Sequence, residues 1–568
     1  MYHPFAVGAM QAPPISAKSG AGGKPADFDL LTHNLGMAAA FEEFLAPAYG
    51  PGGRAKLFLD PKGLPVPTTD GARMLALLDS PHPVGRVVKA VAAAQEEQWR
   101  DGTKLAVLFA LRLLRRAEQL RARGVHPSRI IRGYDIGLDV ATQAAADAAT
   151  TEDPLEDEDL LDVARGSLGG WLEDGPREAL AREIVIAARQ VASPAGGGWR
   201  CDRDDIHVFA KGRGGFAVQR IDGYLLDRSR DDPTMPARVE GARIALLDAA
   251  PIRGKAGVHS PRLRWIGDTQ IRLKGPAEAE AYAAFDDAQT EEIVDRLKGA
   301  GANVVLCTLG ISDYGHKLLS KAGILGIRRI MKTSYMDHVA RATGGSLIKD
   351  FRQVKADLLG HAGLVEERLV GGSKCLIIDR CPNPKVVSLL ISGPGDAASD
   401  LYKTQAQKAI ASVATVIEDP RLVPGGTGVE MIASVRVRRE ASRVEGREQL
   451  AVEAFGRALE DITACLAKNL GLNSRDAVIA LRAASAADAK VGFLAGAKAP
   501  VDGDHGLLWE PLAPHVSAWG RAVEAARTIL RADDFHKVSR HPAPRTATDA
   551  EDRGRGDEDS ASPPGGNG

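Results

Sequence analysis

Arg100-Asp101-Gly102-Thr103-Lys104 stands immediately before an apolar run from Leu105 to Leu120. Leu105, Val107, Leu108, Phe109, Leu111, Leu113 and Leu114 cover nearly every side of three turns, which predicts a helix buried in a large core. The run turns basic at Arg115, Arg116, Arg121 and Arg123 and stops at Gly124, a residue suited to the left-handed position that ends a helix. An Asp-Gly-Thr sequence at the start of such a helix leaves backbone N–H groups and the positive end of the dipole facing whatever binds there. A carboxylate beside a phosphate cradle makes sense when a divalent cation bridges the two. The plainer alternative is that Asp101 is only the N-cap of this helix.

Other turns widen the pattern. Tyr49-Gly50-Pro51-Gly52-Gly53 feeds a short apolar strand, Lys56-Leu57-Phe58-Leu59, that ends in Asp60; Thr68-Thr69-Asp70-Gly71 follows. Pro424-Gly425-Gly426-Thr427 and Val501-Asp502-Gly503 lie far downstream. Turns rich in Gly and Pro let backbone amides approach a phosphate closely. Each fragment alone is common; their order and spacing are specific.

That order resembles the chaperonin family (TCP-1/cpn60), in particular its group II branch of thermosomes and eukaryotic cytosolic chaperonins. Supporting blocks are Ile131-Arg132-Gly133-Tyr134 after Val125-His126-Pro127, Gly301-Ala302-Asn303-Val304-Val305 before Leu309-Gly310-Ile311-Ser312-Asp313, Arg328-Arg329-Ile330 before Ala342-Thr343-Gly344, Leu359 to Val365, and Gly446 to Ala451. Roughly residues 28 to 535 are covered. The resemblance implies an α+β multidomain fold with a mainly helical equatorial domain (28–150 and 418–537), a small intermediate domain (151–225 and 383–417) and an α/β apical domain (226–382). It also implies a helical protrusion at about 268–293 that acts as a built-in lid, so that no separate co-chaperonin is needed. Gln270-Ile271-Arg272-Leu273, Pro276 and an Ala- and Glu-rich stretch with Tyr282 and Phe285 carry that match; an ordinary surface helix is the alternative.

Composition agrees. The chain has 568 residues and 44% hydrophobic content, enough to bury more than one core. Its formal net charge of −1, spread along the chain, gives no reason to expect nucleic-acid binding. Cys201, Cys307, Cys375, Cys381 and Cys465 are scattered, as suits buried thiols in a reducing compartment, and no CxxC or HExxH suggests a metal site. No apolar run is long enough to span a membrane and no signal peptide is visible, so a cytoplasmic protein is expected. Residues 1–27 and 538–568 are Pro-, Gly- and polar-rich, a composition expected to remain disordered.

Along the chain, Ile244 to Leu247, Val304 to Cys307 and Lys385 to Ile391 read as buried strands. His316 to Ala322, Met336 to Ala342 and 400–417 read as helices, and 430 to about 530 as helical again.

The resemblance assigns the chemistry residue by residue. It implies ATP and Mg²⁺ as cofactors, with Asp101 as the Mg²⁺ acid and Asp60 as one of two carboxylates that position the attacking water. Gly50, Pro51 and Gly53 match the phosphate loop, with Asp70, Gly71, Gly102 and Thr103 around it. Gly425, Gly426 and Asp502 match the nucleoside side. The departures are equally specific. Counting from Gly393 to Pro424-Gly425-Gly426 places Lys408 where the family has its second water-positioning aspartate. Asp400 lies eight residues away, about 12 Å along a helix. Arg100 replaces a glycine, Lys104 and Leu105 replace two hydroxyls, and Gly52 replaces a basic loop residue. An ammonium removes an acceptor for water and adds a cation that can pair with phosphate.

The expected function is therefore an ATP-binding subunit of a double-ring folding chamber for non-native polypeptides, with weak hydrolysis by a chaperonin-type ATPase. The alternative is a hydrolysis-deficient holdase, scaffold or passive subunit of a mixed ring with paralogous partners.

Overall fold

The computed structural model describes residues 30–532, apart from 60–62, 64, 79, 81, 152–155, 170–171, 213, 249–275, 331–332, 383, 488 and 504–505. Asp60, the two termini and the first part of the expected protrusion lie outside the described residues.

Both ends of the described chain build one helical body. Helices Leu30–Leu45, Pro83–Trp99, Thr103–Ala122 and Pro127–Ala148 pack with Gly428–Ala441, Glu448–Asn469, Ser474–Ala486 and Leu512–Arg531. Thr103–Ala122 is the central rod, and Leu105 to Leu111, Leu113, Leu114, Ala117 and Leu120 are all buried on it. It ends as its sequence predicts, with Gly124 at φ 77°. Phe109 meets Phe455 edge to face at 5.1 Å between ring centres. Gly133 and Gly137 allow Pro127–Ala148 to lie directly on Glu448–Asn469. A Cβ on Gly133 would stand 2.4 Å from that of Ala451, and one on Gly137 would stand 2.7 Å from Phe455.

A middle body sets helices Asp157–Leu168, Asp174–Val191 and Asp396–Glu418 against a three-stranded sheet. Its central strand Val387–Ser392 runs parallel to Ile206–Ala210 and antiparallel to Ala217–Ile221. Asp396–Glu418 begins one turn earlier than its sequence suggests, directly after Gly395.

The third body is a mixed sheet in the order Leu325–Ile327, Val304–Cys307, Arg238–Leu247, Gly360–Val370, Ser373–Asp379, Tyr224–Leu226, with Leu347–Ile348 also pairing Arg238–Leu247. Strand alternation divides its core into two layers. Ile244, Leu246, Val304 and Leu306 face helix Thr333–Thr343; Ala245, Leu247, Val305 and Cys307 face Pro276–Gly299 and Asp313–Lys321. Both faces are covered, which is why these strands read as continuous apolar runs.

One short turn, Arg203–Asp205, touches all three bodies. Arg203 donates to the carbonyls of Glu97 and Gln98, Asp204 accepts from Arg100 at 2.9 Å, and Asp205 pairs with Arg341.

Candidate functional site

Two residues with positive φ, Arg100 at 53° and Gly102 at 71°, lead into helix Thr103–Ala122. Gly102 itself is the N-cap, and no side chain caps this helix. Asp101 is thus not the capping residue. Its Oδ1 accepts from the Gly102 N–H at 2.7 Å, and among the described residues its carboxylate takes no other hydrogen bond. Gln95, fully buried, fixes the turn from behind by donating to the carbonyls of Asp101 at 3.0 Å and Pro514 at 3.1 Å. A Cβ on Gly102 would crowd Gln95 Nε2 at 2.9 Å, so the position needs glycine for both space and backbone angle. Thr103 Oγ1 donates to Glu96 Oε2 at 3.0 Å, and burial is the main cause raising the Glu96 pKa.

The hairpin Lys56–Leu59 with Pro65–Thr68 delivers Asp70 to the same place. Asp70 caps helix Gly71–Leu77 through Oδ1, which accepts from Arg73 N at 2.7 Å. Its Oδ2 pairs with Lys408 Nζ, and both side chains are largely buried. Burial works to raise the Asp70 pKa, but the Lys408 charge and hydrogen bond outweigh it and hold the carboxyl low. Burial likewise opposes the Lys408 ammonium, while Asp70 and Glu96 hold its pKa above the usual lysine range. Lys408 is a permanent cation locked onto an acid. The cation that the sequence offers to phosphate thus already has Asp70 as a partner.

Lys104 lies beside this pair. It donates to the Ala48 carbonyl at 2.7 Å, and its stem fills the space over Gly71, where a Cβ would lie 2.6 Å from Lys104 Cγ. Burial and the neighbouring Lys408 bring its pKa down to about 8, against the pull of Asp70 and Asp101.

The Tyr49–Gly53 turn closes the far side. Asn469 Nδ2 holds it by donating to the carbonyls of Ala46 at 2.7 Å and Tyr49 at 2.8 Å. A Cβ at Gly50, Gly52 or Gly53 would lie within 2.5 Å of Leu466, the Asn469 carbonyl or the Ala48 carbonyl respectively. Pro51 sits exposed at the tip of the turn.

Gly425 and Gly426 pack just as tightly, the first against Glu510 and the Leu508 carbonyl, the second against Phe493. A three-stranded sheet of Arg421–Pro424, Trp509–Pro511 and Thr150–Thr151 places them. Asp502 follows the bridge between Gly492 and Val501, and its carbonyl accepts from Leu507 N at 2.9 Å.

The fold thus brings Asp70, Gly71, Asp101, Gly102, Thr103 and Lys408 into one cluster, with the Gly50-Pro51-Gly52-Gly53 turn beside Lys104 through Ala48. Gly425, Gly426 and Asp502 form a separate wall from the C-terminal part. The sequence reading passed over Glu96, seven residues before Thr103, and Glu430, Glu510 and His515, whose carboxylates and ring meet behind the Gly425-Gly426 turn. The Glu-Gln signal before Arg100 was visible but carries no motif of its own. Glycine turns packed to contact, an acid with one open oxygen and an uncapped helix N-terminus suit a phosphate ligand with a divalent cation, which Asp101 would hold.

Residues 41–538 match the model of the TCP-1/cpn60 chaperonin family. Thermosome subunit beta of Saccharolobus shibatae is 35% identical over 515 residues, covering 89% of this chain and 91% of that protein. A thermosome subunit of Methanopyrus kandleri is 36% identical over 513 residues, with the same coverage. Thermosome subunit alpha of Archaeoglobus fulgidus is 34% identical over 514 residues, again covering 89% and 91%. With a family match over most of its length, and relatives aligned nearly end to end on a helical body, a middle body and a sheet body, the chain belongs to the TCP-1/cpn60 chaperonin family and has its α+β multidomain fold.

Proposed function

We propose that this chain is an ATP-binding chaperonin subunit, assembled into stacked rings, that encloses non-native polypeptides and hydrolyses ATP slowly. In this reading the helical body is equatorial, the middle body intermediate and the sheet body apical, and the protein works in the cytoplasm; no helix of the described residues is long and apolar enough to cross a membrane.

The observation that carries the slow step is the Lys408–Asp70 ion pair beside Asp101. A water attacking in line needs an acceptor, and an ammonium offers three donors and none. Asp70, its partner, is itself committed to Lys408 and to Arg73 N. Thr103 and the first N–H groups of its helix would orient phosphate oxygens, and the bound cation would screen their charge. Loss of one proton-accepting group costs about 10²–10⁴ in rate.

Single-turnover hydrolysis of ATP with Mg²⁺ tests the reading. Lys408→Asp should accelerate it at least about tenfold, roughly 1.4 kcal/mol of barrier. Arg100→Gly and Lys104→Thr are added in a second variant because neighbouring changes couple. Brisk turnover by the parent, unchanged in Lys408→Asp, would show that another group positions the water.

A further inference from the structure

His515, in the first turn of helix Leu512–Arg531, is held between two carboxylates. Its Nδ1 lies 2.7 Å from Glu430 Oε1 and its Nε2 lies 2.7 Å from Glu510 Oε2. A carboxylate only accepts, so both ring nitrogens must carry protons and the ring is an imidazolium. Both acids adjoin the turn Gly425-Gly426-Thr427. Glu510 Oε1 accepts from Gly426 N at 3.3 Å and abuts Gly425, while Glu430 lies in the first turn of the helix that follows, Gly428–Ala441. The Glu430 side chain is 1% exposed, and its Oε2 has no hydrogen-bond partner among the described residues. His515 is thus the cation that compensates the buried Glu430 and the half-exposed Glu510.

We propose that His515 is a positioning residue whose imidazolium clamps the Gly425-Gly426 turn in its nucleotide-binding shape, and that its deprotonation releases the turn and weakens ATP binding. The inference rests on reading this site as a nucleotide site and adds a proton-controlled element to it. A neutral ring can donate from only one nitrogen, so the other would present a lone pair to a carboxylate, a buried one in the case of Glu430. Either Glu510 would then let go of the turn, or Glu430 would be left buried and unpaired.

Burial alone would lower the His515 pKa. The Glu430 charge and the hydrogen bonds to both acids outweigh it and hold the pKa well above the ordinary histidine value. Burial would raise Glu510, but the hydrogen bond and charge of His515 and the Gly426 N–H keep it low. Among the described residues, the other titratable group packed here is Tyr49, from the turn after Leu45. Burial and then these same two acids, with Cys465 and Asp101 further off, push its phenol well up, so it stays neutral. Trp519, on the same helix, has its ring 6.4 Å from that of His515. The sign follows: a raised histidine pKa makes the clamp complete below the ordinary value and loses it as pH rises through the folded one.

The test uses the full-length chain, with ATP and Mg²⁺ as the probe, in calorimetric titrations from pH 6 to the highest pH at which the chain stays folded. Parent affinity should fall at least about tenfold as pH rises, the scale of one charge-assisted hydrogen bond. His515→Lys, which keeps a cation and several donors, should hold the low-pH affinity across the range, and His515→Gln should bind weakly throughout. Every protein compared, the His515 reference included, carries Lys104→Met, so that the titration of Lys104 is removed from all of them. Without nucleotide, tryptophan emission should show a pH step that is absent in Trp519→Phe and in His515→Lys. An affinity slope retained in His515→Lys would overturn the clamp and leave the nucleotide site standing. A Trp519 step with no ATP binding at any pH would instead sink the nucleotide reading while the imidazolium persists.

Discussion

Three acids, Asp70, Glu96 and Asp101, share a small volume with two lysines, Lys104 and Lys408, and their charges decide how each behaves. Removing one member of a buried pair costs about 3–5 kcal/mol, because the other is left without compensation. Lys408→Asp goes further and sets two carboxylates face to face. Chemical denaturation of the nucleotide-free variant should therefore show a loss of at least that size in the absence of divalent cations, partly recovered on adding Mg²⁺; a parent-like curve without Mg²⁺ would mean that the pair contributes nothing. Lys104 has the opposite balance. With its pKa near 8 rather than 10.5, the folded chain binds fewer protons than the unfolded one between those values. Stability should rise with pH across that window, and the buried ammonium costs on the order of 3 kcal/mol near neutrality. Lys104→Met should be the more stable protein at pH 7, with a flatter stability profile from pH 8 to 10.5. Of this cluster, Lys408 was legible through the family resemblance, by counting from Gly393 to Pro424-Gly425-Gly426. Its partner was not, because nothing local marks a contact between residues 70 and 408.

At the scale of elements, legibility follows how each one is buried. Thr103–Ala122 announced itself because its first three turns are covered on nearly every side, and Val304–Cys307 because both sides of its sheet are. The two- to four-residue strands that seat Gly425 beside Glu510 carry too few positions for any period to show. The Glu430–His515–Glu510 contact was invisible for a related reason, since a strand and two helices must first be placed by that sheet. Glycines inside helices were the most informative small signals. Gly133 sits mid-helix, where glycine costs about 1 kcal/mol against alanine, and its reason is the crossing with Glu448–Asn469. A Cβ there would also lie 2.8 Å from the Glu448 carbonyl, which is backbone and cannot step aside. Gly133→Ala should therefore destabilise the protein by about 1–3 kcal/mol or more despite its better helix propensity. Equal or higher stability in urea denaturation would mean that the two helices can slide apart freely.

At the scale of the molecule, the middle and sheet bodies share an apolar layer of Ile221, Leu225, Val370, Cys375, Ile377 and Leu390, while the contacts made by the Arg203–Asp205 turn are small and polar. Arg100–Asp204 is a partly exposed pair of the kind worth 0–1 kcal/mol, about the same as a single rotamer loss. The hairpin Lys56–Leu59 with Pro65–Thr68 is different. It is a two-stranded sheet with no third strand among the described residues, and Leu57 and Leu59 are 69% and 63% exposed on it. Two strands alone are marginal in water, and an apolar edge strand left open invites pairing with another chain. Assembly into rings would give that edge and those leucines a partner, and because the hairpin leads straight to Asp70, assembly would also steady the nucleotide site. Leu57→Lys with Leu59→Lys should leave the fold intact by circular dichroism but shift the protein towards monomer in light scattering at micromolar concentration. The same variant should bind ATP more weakly, since its hairpin no longer holds Asp70 against Lys408. A ring of parental mass that binds ATP normally would place the subunit contact elsewhere and leave the exposed leucines to another use.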